Sequence, residues 1–162
     1  MIFSKYPSLL LLGLGLFLAC ALPQQTRAAE FAGRVTVLHG DTLRLGDTRI
    51  HLQGTVSPPS GAVCTDAQAR QWPCGDSAAE WMAAAIGDQP VSCHGSAFNP
   101  AGQLRAMCYV GTRNLNGAIV GAGWAVAEGR YGRWHESLQA KARDAGFGLW
   151  ADGTAKHWRW DW

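Results

Sequence analysis

The sequence predicts an α+β protein with a mainly β core, in which a five-stranded barrel of the OB type is accompanied by three helices. Short segments with strand patterns occur in two groups. One helical pattern precedes the fourth strand, and two follow the fifth. This order of elements is typical of a small OB-type barrel. The strands are expected near residues 31–38, 41–46, 48–53, 90–95 and 104–110.

The second and third strands form a hairpin around which the rest of the chain is organised. Residues 42–45 and 49–52 alternate polar and apolar side chains, which is typical of half-buried strands. Gly46 and Asp47 lie between them and predict a two-residue turn of the Gly-X kind. The Pro58-Pro59 pair then ends the ladder, because proline has no backbone N–H to donate.

The helices are recognised from apolar residues at helical spacing and from their end signals. Ser77 and Glu80 have the spacing of a capping box at the start of the first helix. Gly87, Gly123 and Gly146 stand where the three helices end. The helices are expected over about residues 76–87, 114–123 and 134–145.

Residues 1–28 have the pattern of a cleaved secretory signal peptide. The apolar run over 9–22 is short for a bilayer span, and small residues at Thr26 and Ala28 frame a cleavage site. Cleavage after Ala21, lipid modification of Cys20 and an uncleaved membrane anchor are the alternatives. We therefore expect a periplasmic or secreted protein without a transmembrane span after processing. Its folded domain would cover 29–152, and a tryptophan-rich tail would cover 153–162.

Charge gives little support for binding to a phosphate backbone. The whole chain has 14 Lys and Arg residues and 12 Asp and Glu residues. Lys5 and Arg27 lie in the predicted signal peptide and no acidic residue does, so the mature chain has 12 of each. Proteins that bind nucleic acid through its phosphates usually have clustered positive charge. The length that is left predicts a single domain. We also expect a monomer.

Four cysteines follow the predicted cleavage site, an even number that suits two disulfides in an oxidising compartment. Residues 99–102, Asn-Pro-Ala-Gly, have the signature of a type I turn, and the hairpin closed by this turn places Cys93 opposite Cys108. In a hydrogen-bonded antiparallel pair the Cα atoms lie about 5.5 Å apart, which a disulfide can bridge. Cys64 is then left to pair with Cys74. A zinc site is the rival interpretation, but Cys-x-x-Cys spacing is missing.

Several short motifs, in the same order and with similar spacing, resemble the staphylococcal-nuclease-like (thermonuclease) family. The resemblance is closest to its exported, disulfide-containing members and extends from Phe31 to Trp150. The motifs are Gly40-Asp41-Thr42 at the start of the hairpin, the Cys64 to Cys74 loop, Cys108-Tyr109-Val110, Leu115-Asn116, Gly123-Trp124-Ala125 and Gly148-Leu149-Trp150.

The resemblance implies a site for phosphodiester hydrolysis, in which aspartates hold calcium, a glutamate lies near the attacking water and two arginines bind the phosphate. Asp41 stands at the position of the first metal aspartate. The other positions have lost this chemistry: His51 and Gln103 replace the arginines, Val56 replaces the second aspartate, and Pro59 replaces the glutamate. No catalytic set is intact, and calcium is expected only if the chain is a nuclease after all.

Neighbouring residues offer incomplete substitutes for the lost groups. Arg49 and Arg105 each lie two residues from a missing arginine, which is roughly 6.6 Å along a strand and too far for a phosphate clamp. His39, Asp41 and His51 together have the chemistry of a transition-metal site. The hairpin register, however, pairs Asp41 with Leu52, so that His51 is expected on the opposite face unless a β-bulge intervenes.

The tail places Trp158, Trp160 and Trp162 on one side of an extended segment. These side chains would either pack back over the barrel or form a stacking platform for sugar rings or bases.

Three functions therefore fit the sequence. The first is an exported thermonuclease-like protein with a degenerate site that serves as a binding or structural module. The second is a calcium-dependent nuclease of DNA or RNA with an atypical site. The third is an accessory protein of carbohydrate or exopolysaccharide metabolism whose partner is a glycan, since some thermonuclease-like proteins are associated with exopolysaccharide production.

Overall fold

The structure is a computed structural model that describes residues 29–153. The predicted signal peptide over 1–28 and the tail residues Trp158, Trp160 and Trp162 lie outside the described residues. Within the described part, no helix has the length and the apolar character needed to cross a membrane.

Residues 29–153 form an α+β fold whose core is mainly β. The strands are β1 (Ala29–Gly33), β2 (Thr36–His39), β3 (Thr42–Leu45), β4 (Thr48–Leu52), β5 (Thr55–Val56), β6 (Cys64–Thr65), β7 (Gln71–Trp72), β8 (Val91–Phe98), β9 (Leu104–Val110), β10 (Arg113–Asn114) and β11 (Val126–Ala127). The helices are α1 (Cys74–Ile86), α2 (Leu115–Gly121), α3 (Gly129–Gly132) and α4 (Glu136–Asp144), followed by a 3₁₀ helix (Gly148–Gly153).

The main sheet has the strand order β1-β8-β9-β4-β3-β2, and β10 pairs with β9. Strands β4 and β9 are parallel, with Ile50 opposite Leu104, whereas the other neighbours are antiparallel. Two small sheets, β5 with β11 and β6 with β7, lie outside this order. The predicted hairpin register is confirmed, because Leu45 pairs with Thr48 across the Gly46–Asp47 turn.

The prediction of a closed five-stranded barrel is wrong in its detail, since the sheet is a curled, open half-barrel of seven strands. The single strand predicted over 31–38 is divided at Arg34 and Val35 into β1 and β2. The chain bends at Gly33, where a Cβ atom would lie 2.9 Å from Leu45 Cδ1. After the bend the pairing partner changes from β8 to β3, so two consecutive strands form the two edges of the sheet.

The core lies between the inner face of this sheet and helices α1 and α2. Its members are apolar and almost fully buried: Leu43, Ile50, Leu52, Met82, Ile86, Val91, Leu104, Ala106, Val110, Leu115, Ile119 and Val120. Alternate residues of β3, β4 and β9 point into it, as the period of a strand requires. The opposite face of the same strands therefore presents the polar residues discussed below.

Helix α1 begins two residues before the predicted start, and the capping box predicted at Ser77 is not formed. Ser77 lies inside the helix, where its hydroxyl donates to the Pro73 carbonyl at 2.9 Å. Tertiary contacts fix the first turn instead. Cys74 is held by a disulfide, and a Cβ atom at Gly75 would lie 1.8 Å from the Pro59 carbonyl oxygen. The predicted end is confirmed, because Gly87 follows the helix with a φ of +57°.

Four α-helices are present in the described residues where three were predicted. The start of α2 is confirmed, since Asn114 caps it by accepting a hydrogen bond from the Gly117 N–H at 2.9 Å. The third predicted helix begins later, at Glu136, and the short helix α3 precedes it. Its separation follows from Gly132, where a Cβ atom would lie 2.8 Å from the Ala127 carbonyl carbon and the chain must pass close to β11.

Both predicted disulfides, Cys64–Cys74 and Cys93–Cys108, are present in the structure. The second one spans a register pair of β8 and β9 whose Cα atoms are 4.1 Å apart. This spacing is typical of a non-hydrogen-bonded pair rather than the hydrogen-bonded pair that was predicted. In agreement with this, the Cys108 N–H donates to Asn116 Oδ1 at 2.9 Å.

The turn that closes this hairpin is also longer than predicted. Gly102 N–H donates to the Asn99 carbonyl at 2.9 Å as in a type I turn, but the ladder resumes with Asn99 facing Gln103. This shifts the register by one residue near the turn. A β-bulge between Gly95 and Ala97 restores the predicted register, and Cys93 again faces Cys108.

The Asn116 side chain joins helix α2 to the two parallel strands of the sheet. Asn116 is fully buried, and its Oδ1 accepts from the Cys108 N–H at 2.9 Å. Its Nδ2 donates to the carbonyl oxygens of Gln53 and Ala106 at 2.9 and 3.0 Å. The pairing of β4 with β9 ends at Leu52 and Ala106, and there the amide supplies partners for the Gln53 carbonyl and the Cys108 N–H.

We predict that Asn116→Leu lowers the free energy of unfolding by about 2–4 kcal/mol, because it leaves buried backbone groups without partners in a site of similar shape. Urea unfolding followed by circular dichroism measures the change. Asn114→Ser, which keeps a capping oxygen at the start of the same helix, is the control and should have nearly wild-type stability. Equal stability of Asn116→Leu and the wild type would contradict this role of the amide.

Candidate functional site

Asp41 lies in the tight turn between β2 and β3, with only 6% of its surface exposed. Its Oδ2 accepts a hydrogen bond from the backbone N–H of Ser57 at 2.8 Å, and its Oδ1 accepts one from the Thr42 hydroxyl at 2.9 Å. Glycine is required at the preceding position, because a Cβ atom at Gly40 would lie 2.3 Å from Ser57 Oγ and 3.0 Å from Ile119 Cδ1. The carboxylate is therefore placed by close packing and holds the loop that passes over it.

The loop over residues 57–61 is held at both of its ends. Ser60 donates its N–H to His39 Nδ1 at 3.0 Å and its hydroxyl to the Leu38 carbonyl at 2.7 Å. The Gly61 N–H donates to Asp76 Oδ1, on helix α1, at 2.8 Å. Together with the bond to Asp41, these contacts connect the β2–β3 turn, the loop and helix α1.

His51 and Asp41 approach each other, although the sequence predicted opposite faces for them. His51 Nδ1 lies 4.0 Å from Asp41 Oδ1. The predicted alternation of sides does not apply, because Asp41 belongs to the turn and precedes the first residue of β3, Thr42. His39 is not part of this pair, since its Nδ1 accepts from Ser60.

Two other histidines have different surroundings. His135 is buried, and burial lowers the pKa of its imidazole below the ordinary value. Its Nε2 has no hydrogen-bond partner among the described residues. His94 lies near the Ser92 hydroxyl at 3.1 Å and packs edge-on against Tyr109. Within residues 29–153, neither histidine forms a hydrogen bond or an ion pair with the turn that contains Asp41.

The residues at the other three positions of the implied nuclease site pack or form hydrogen bonds that stabilise the fold. Val56 pairs with Val126 in the small sheet of β5 and β11 and packs against an apolar cluster that contains Cys64, Cys74 and Leu149. Pro59 accepts the Ala62 N–H through its carbonyl at 2.9 Å.

Gln103 forms two hydrogen bonds with Asn99 across the β8–β9 turn. The Gln103 N–H donates to Asn99 Oδ1 at 2.9 Å, and Asn99 Nδ2 donates to Gln103 Oε1 at 2.8 Å. This position therefore closes a turn and supplies no cationic group.

Arginines line the outer face of the sheet beside His51. Arg105 lies directly opposite His51 in the parallel register of β4 and β9, and Arg49 faces Arg44 in the hairpin. None of these three arginines forms an ion pair with a residue of the 29–153 part, and Arg105 Nε is buried there without a hydrogen-bond partner. The register thus places Arg105 beside His51, although the sequence related Arg105 to Gln103 and only Arg49 to His51.

Calcium does not fit the Asp41 site. It prefers six to eight oxygen ligands, whereas Asp41 is the only one of the implied carboxylates that is present. Within residues 29–153 no group of three or more His, Cys, Asp or Glu side chains is arranged to hold a metal ion.

A cavity of about 500 Å³ lies beside the hairpin of β6 and β7, and the sequence did not indicate it. Its walls come from the β6–β7 hairpin, the segment after α2 and the 3₁₀ helix, and its lining residues are Asp66, Arg70, Gln71, Trp72, Trp124, Gly148 and Ala151. We call it the Trp72–Trp124 pocket. The two indole rings meet edge to face, with centroids 6.0 Å apart and planes at 65°.

Asp66 organises the hairpin that forms one wall of this pocket. Its Oδ1 accepts the N–H groups of Gln68 and Arg70, both at 2.9 Å, and its Oδ2 accepts Arg70 Nε at 2.8 Å. Burial raises the pKa of the Asp66 carboxyl, but these hydrogen bonds and the Arg70 charge outweigh burial, and the pKa lies below its ordinary value. Asp66 is therefore ionised at neutral pH.

The wall on the opposite side is fixed by a close approach of two chain segments. A Cβ atom at Gly123 would lie 2.2 Å from the Phe147 carbonyl oxygen, and the Leu149 N–H donates to the Gly123 carbonyl at 2.8 Å. These contacts hold the 3₁₀ helix beside Trp124. The motifs Gly123-Trp124-Ala125 and Gly148-Leu149-Trp150 could have indicated this neighbourhood, but nothing in their spacing indicates a cavity.

We predict that Asp41→Ala lowers the free energy of unfolding by about 1–3 kcal/mol in calcium-free buffer, because the buried Ser57 N–H loses its acceptor. Urea unfolding at pH 7 measures the loss. Asp47→Ala, in the exposed turn of the same hairpin, is the matched control and should stay within about 0.5 kcal/mol of the wild type. If both variants were equally stable, the carboxylate at Asp41 would have no structural role.

Comparison with known proteins gives a distant similarity. No family model matches the chain. The chain is similar to the succinoglycan biosynthesis protein ExoI of Rhizobium meliloti (strain 1021), with 25% identity over 136 residues. The alignment covers 82% of this chain and 71% of that protein. The two proteins are thus similar over most of their lengths, at an identity that does not by itself place this chain in a family.

Proposed function

We propose that this protein is an exported, thermonuclease-like binding module without metal-dependent nuclease activity. Its two disulfides suit the periplasm or the cell exterior, where thiols are oxidised. The proposed relation to the staphylococcal-nuclease-like family is supported by the OB-type strand order. Hairpin β3–β4 is followed by helix α1, hairpin β8–β9 comes next, and β4 and β9 are parallel neighbours.

The observation that most supports a non-catalytic role is the structural use of Asp41. Its carboxylate accepts the Ser57 N–H and the Thr42 hydroxyl, while Val56 packs into an apolar cluster where a second metal carboxylate is implied. A metal-dependent mechanism needs a charge that stabilises the developing oxyanion and a base for the attacking water. At the positions implied for the second metal carboxylate and for the glutamate, the chain has Val56 and Pro59, which cannot fill these roles.

We predict that the mature protein cleaves neither single-stranded DNA nor RNA faster than an Asp41→Ala variant, with or without calcium. The absence of a second carboxylate and of the phosphate-binding arginines is the reason, because the loss of one transition-state donor typically costs about 10²–10³-fold. Fluorescence-quenched oligonucleotides provide the measurement.

The cleavage assay includes a third protein, the His51→Ala variant. His51→Ala is a partner control, because His51 lies beside Asp41 in the same site. A calcium-dependent cleavage rate that is lost in both Asp41→Ala and His51→Ala would overturn the non-catalytic proposal and favour an atypical nuclease. An equal background rate in all three proteins is the expected result.

A role with carbohydrates is the second candidate, and two observations favour it. The relative found by comparison is described as a succinoglycan biosynthesis protein. The Trp72–Trp124 pocket combines aromatic and hydrogen-bonding side chains, as sites for small polar ligands often do. In this interpretation the protein is an accessory that binds a glycan and does not transform it.

A further inference from the structure

We propose that the Trp72–Trp124 pocket binds a neutral sugar ring of a saccharide chain. This inference extends the proposed function, because it names the ligand class of the binding module, and it places the site away from Asp41. The pocket is formed by the disulfide-closed hairpin, Trp124 and the 3₁₀ helix. Its volume of about 500 Å³ lies within the usual range for small-molecule sites, about 300–1,000 Å³.

The aromatic walls of the pocket can contact the apolar face of a sugar ring. A pyranose ring has an apolar face made of C–H groups and a polar rim of hydroxyl groups, and its apolar face stacks on an indole ring. Trp72 and Trp124 meet at 65°, so they form two apolar surfaces at an angle rather than one flat stack. A pyranose ring can therefore stack on one indole and meet the other as an apolar wall beside it.

The polar side chains of the pocket can bind the hydroxyl groups of the sugar. A carboxylate has about four acceptor positions, and the described contacts of Asp66 use three of them. One position is left for a sugar hydroxyl. Gln71 is exposed at the same pocket and offers both an amide donor and an amide acceptor.

The charges in the pocket favour a neutral ligand over an acidic one. Asp66 and Arg70 form an ion pair with a distance of 2.8 Å, so the two charged residues of the lining balance each other. A uronic acid or a phosphate would bring a second anion close to the ionised Asp66 carboxylate. A neutral hexose requires no such compensation.

The hairpin that presents Asp66 is constrained in a way that suits a preformed site. Ala69 has a φ of +60°, the left-handed region that residues other than glycine and asparagine rarely adopt. The Ala69 N–H donates to the Asp66 carbonyl, and the Asp66 N–H donates to the Arg70 carbonyl, both at 3.0 Å. The Cys64–Cys74 disulfide then closes the base of the hairpin. Preorganisation of this kind lowers the entropy lost on binding.

The test is a titration of the full-length mature protein with neutral β-glucan and galactan tetrasaccharides, followed by tryptophan fluorescence and by indole N–H shifts in NMR spectra. We expect saturable binding that Gln71→Ala weakens by about tenfold, because one or two hydrogen bonds are lost. Trp124→Leu should weaken it by a similar factor or more. Trp134→Ala, an exposed tryptophan outside the pocket, is the matched control and should bind as the wild type does.

Three results would overturn the inference. The first is the absence of binding for every neutral tetrasaccharide up to about 10 mM, a concentration at which even weak sites are occupied. The second is tighter binding of a galacturonate tetrasaccharide than of the neutral probes. The third is binding that Gln71→Ala and Trp124→Leu leave unchanged but that combined Trp158→Ala, Trp160→Ala and Trp162→Ala changes abolish, which would place the site in the tail.

The outcome is separable from that of the proposed function. Because Trp124→Leu replaces a partly buried residue, its folding is checked by urea unfolding, while Gln71→Ala changes an exposed side chain and preserves the fold. A lack of saccharide binding, with no nucleic acid cleavage, would leave the non-catalytic module intact and remove only its ligand. Cleavage of nucleic acid together with saccharide binding would contradict the non-catalytic proposal but support the saccharide site.

Discussion

The hydrogen bond from the Ser57 N–H to the Asp41 carboxylate links the parts of this fold that are distant in sequence. It ties the first turn of the sheet to the loop that leads to helix α1, and the Ser60 and Gly61 contacts extend the same connection. The bond is buried, so its partners cannot turn to water instead. A residue that resembles a metal ligand in the sequence therefore has a sufficient structural reason to be an aspartate.

Local chemistry predicted many parts of the structure correctly. The Gly46–Asp47 turn determined the hairpin register, Asn114 capped α2, and Gly87 ended α1, because each depends on the conformational preference of one or two residues. The disulfide partners Cys93 and Cys108 were also predicted, although the turn is one residue longer and a bulge compensates for it. The turn, the helix ends and the disulfide partners could thus be predicted mainly from residues that are close in sequence.

Other features depend on contacts between distant segments, which one sequence does not show. The start of α1 is set by the packing of Gly75 against Pro59 rather than by Ser77. The break between β1 and β2 reflects a change of pairing partner, and the closeness of His51 to Asp41 reflects the turn geometry. The Trp72–Trp124 pocket unites three separate segments, so it became visible only in the folded chain.

The central claim is that Asp41 stabilises the fold and does not hold calcium, and the thermal unfolding midpoint in calcium tests it most directly. A site with a dissociation constant near 10 μM would stabilise the protein by about 2.7 kcal/mol at about 1 mM calcium, a shift of several degrees. Our account predicts the same midpoint in calcium chloride and in sodium chloride of equal ionic strength. A calcium-specific rise of several degrees that is absent from Asp41→Asn would contradict it.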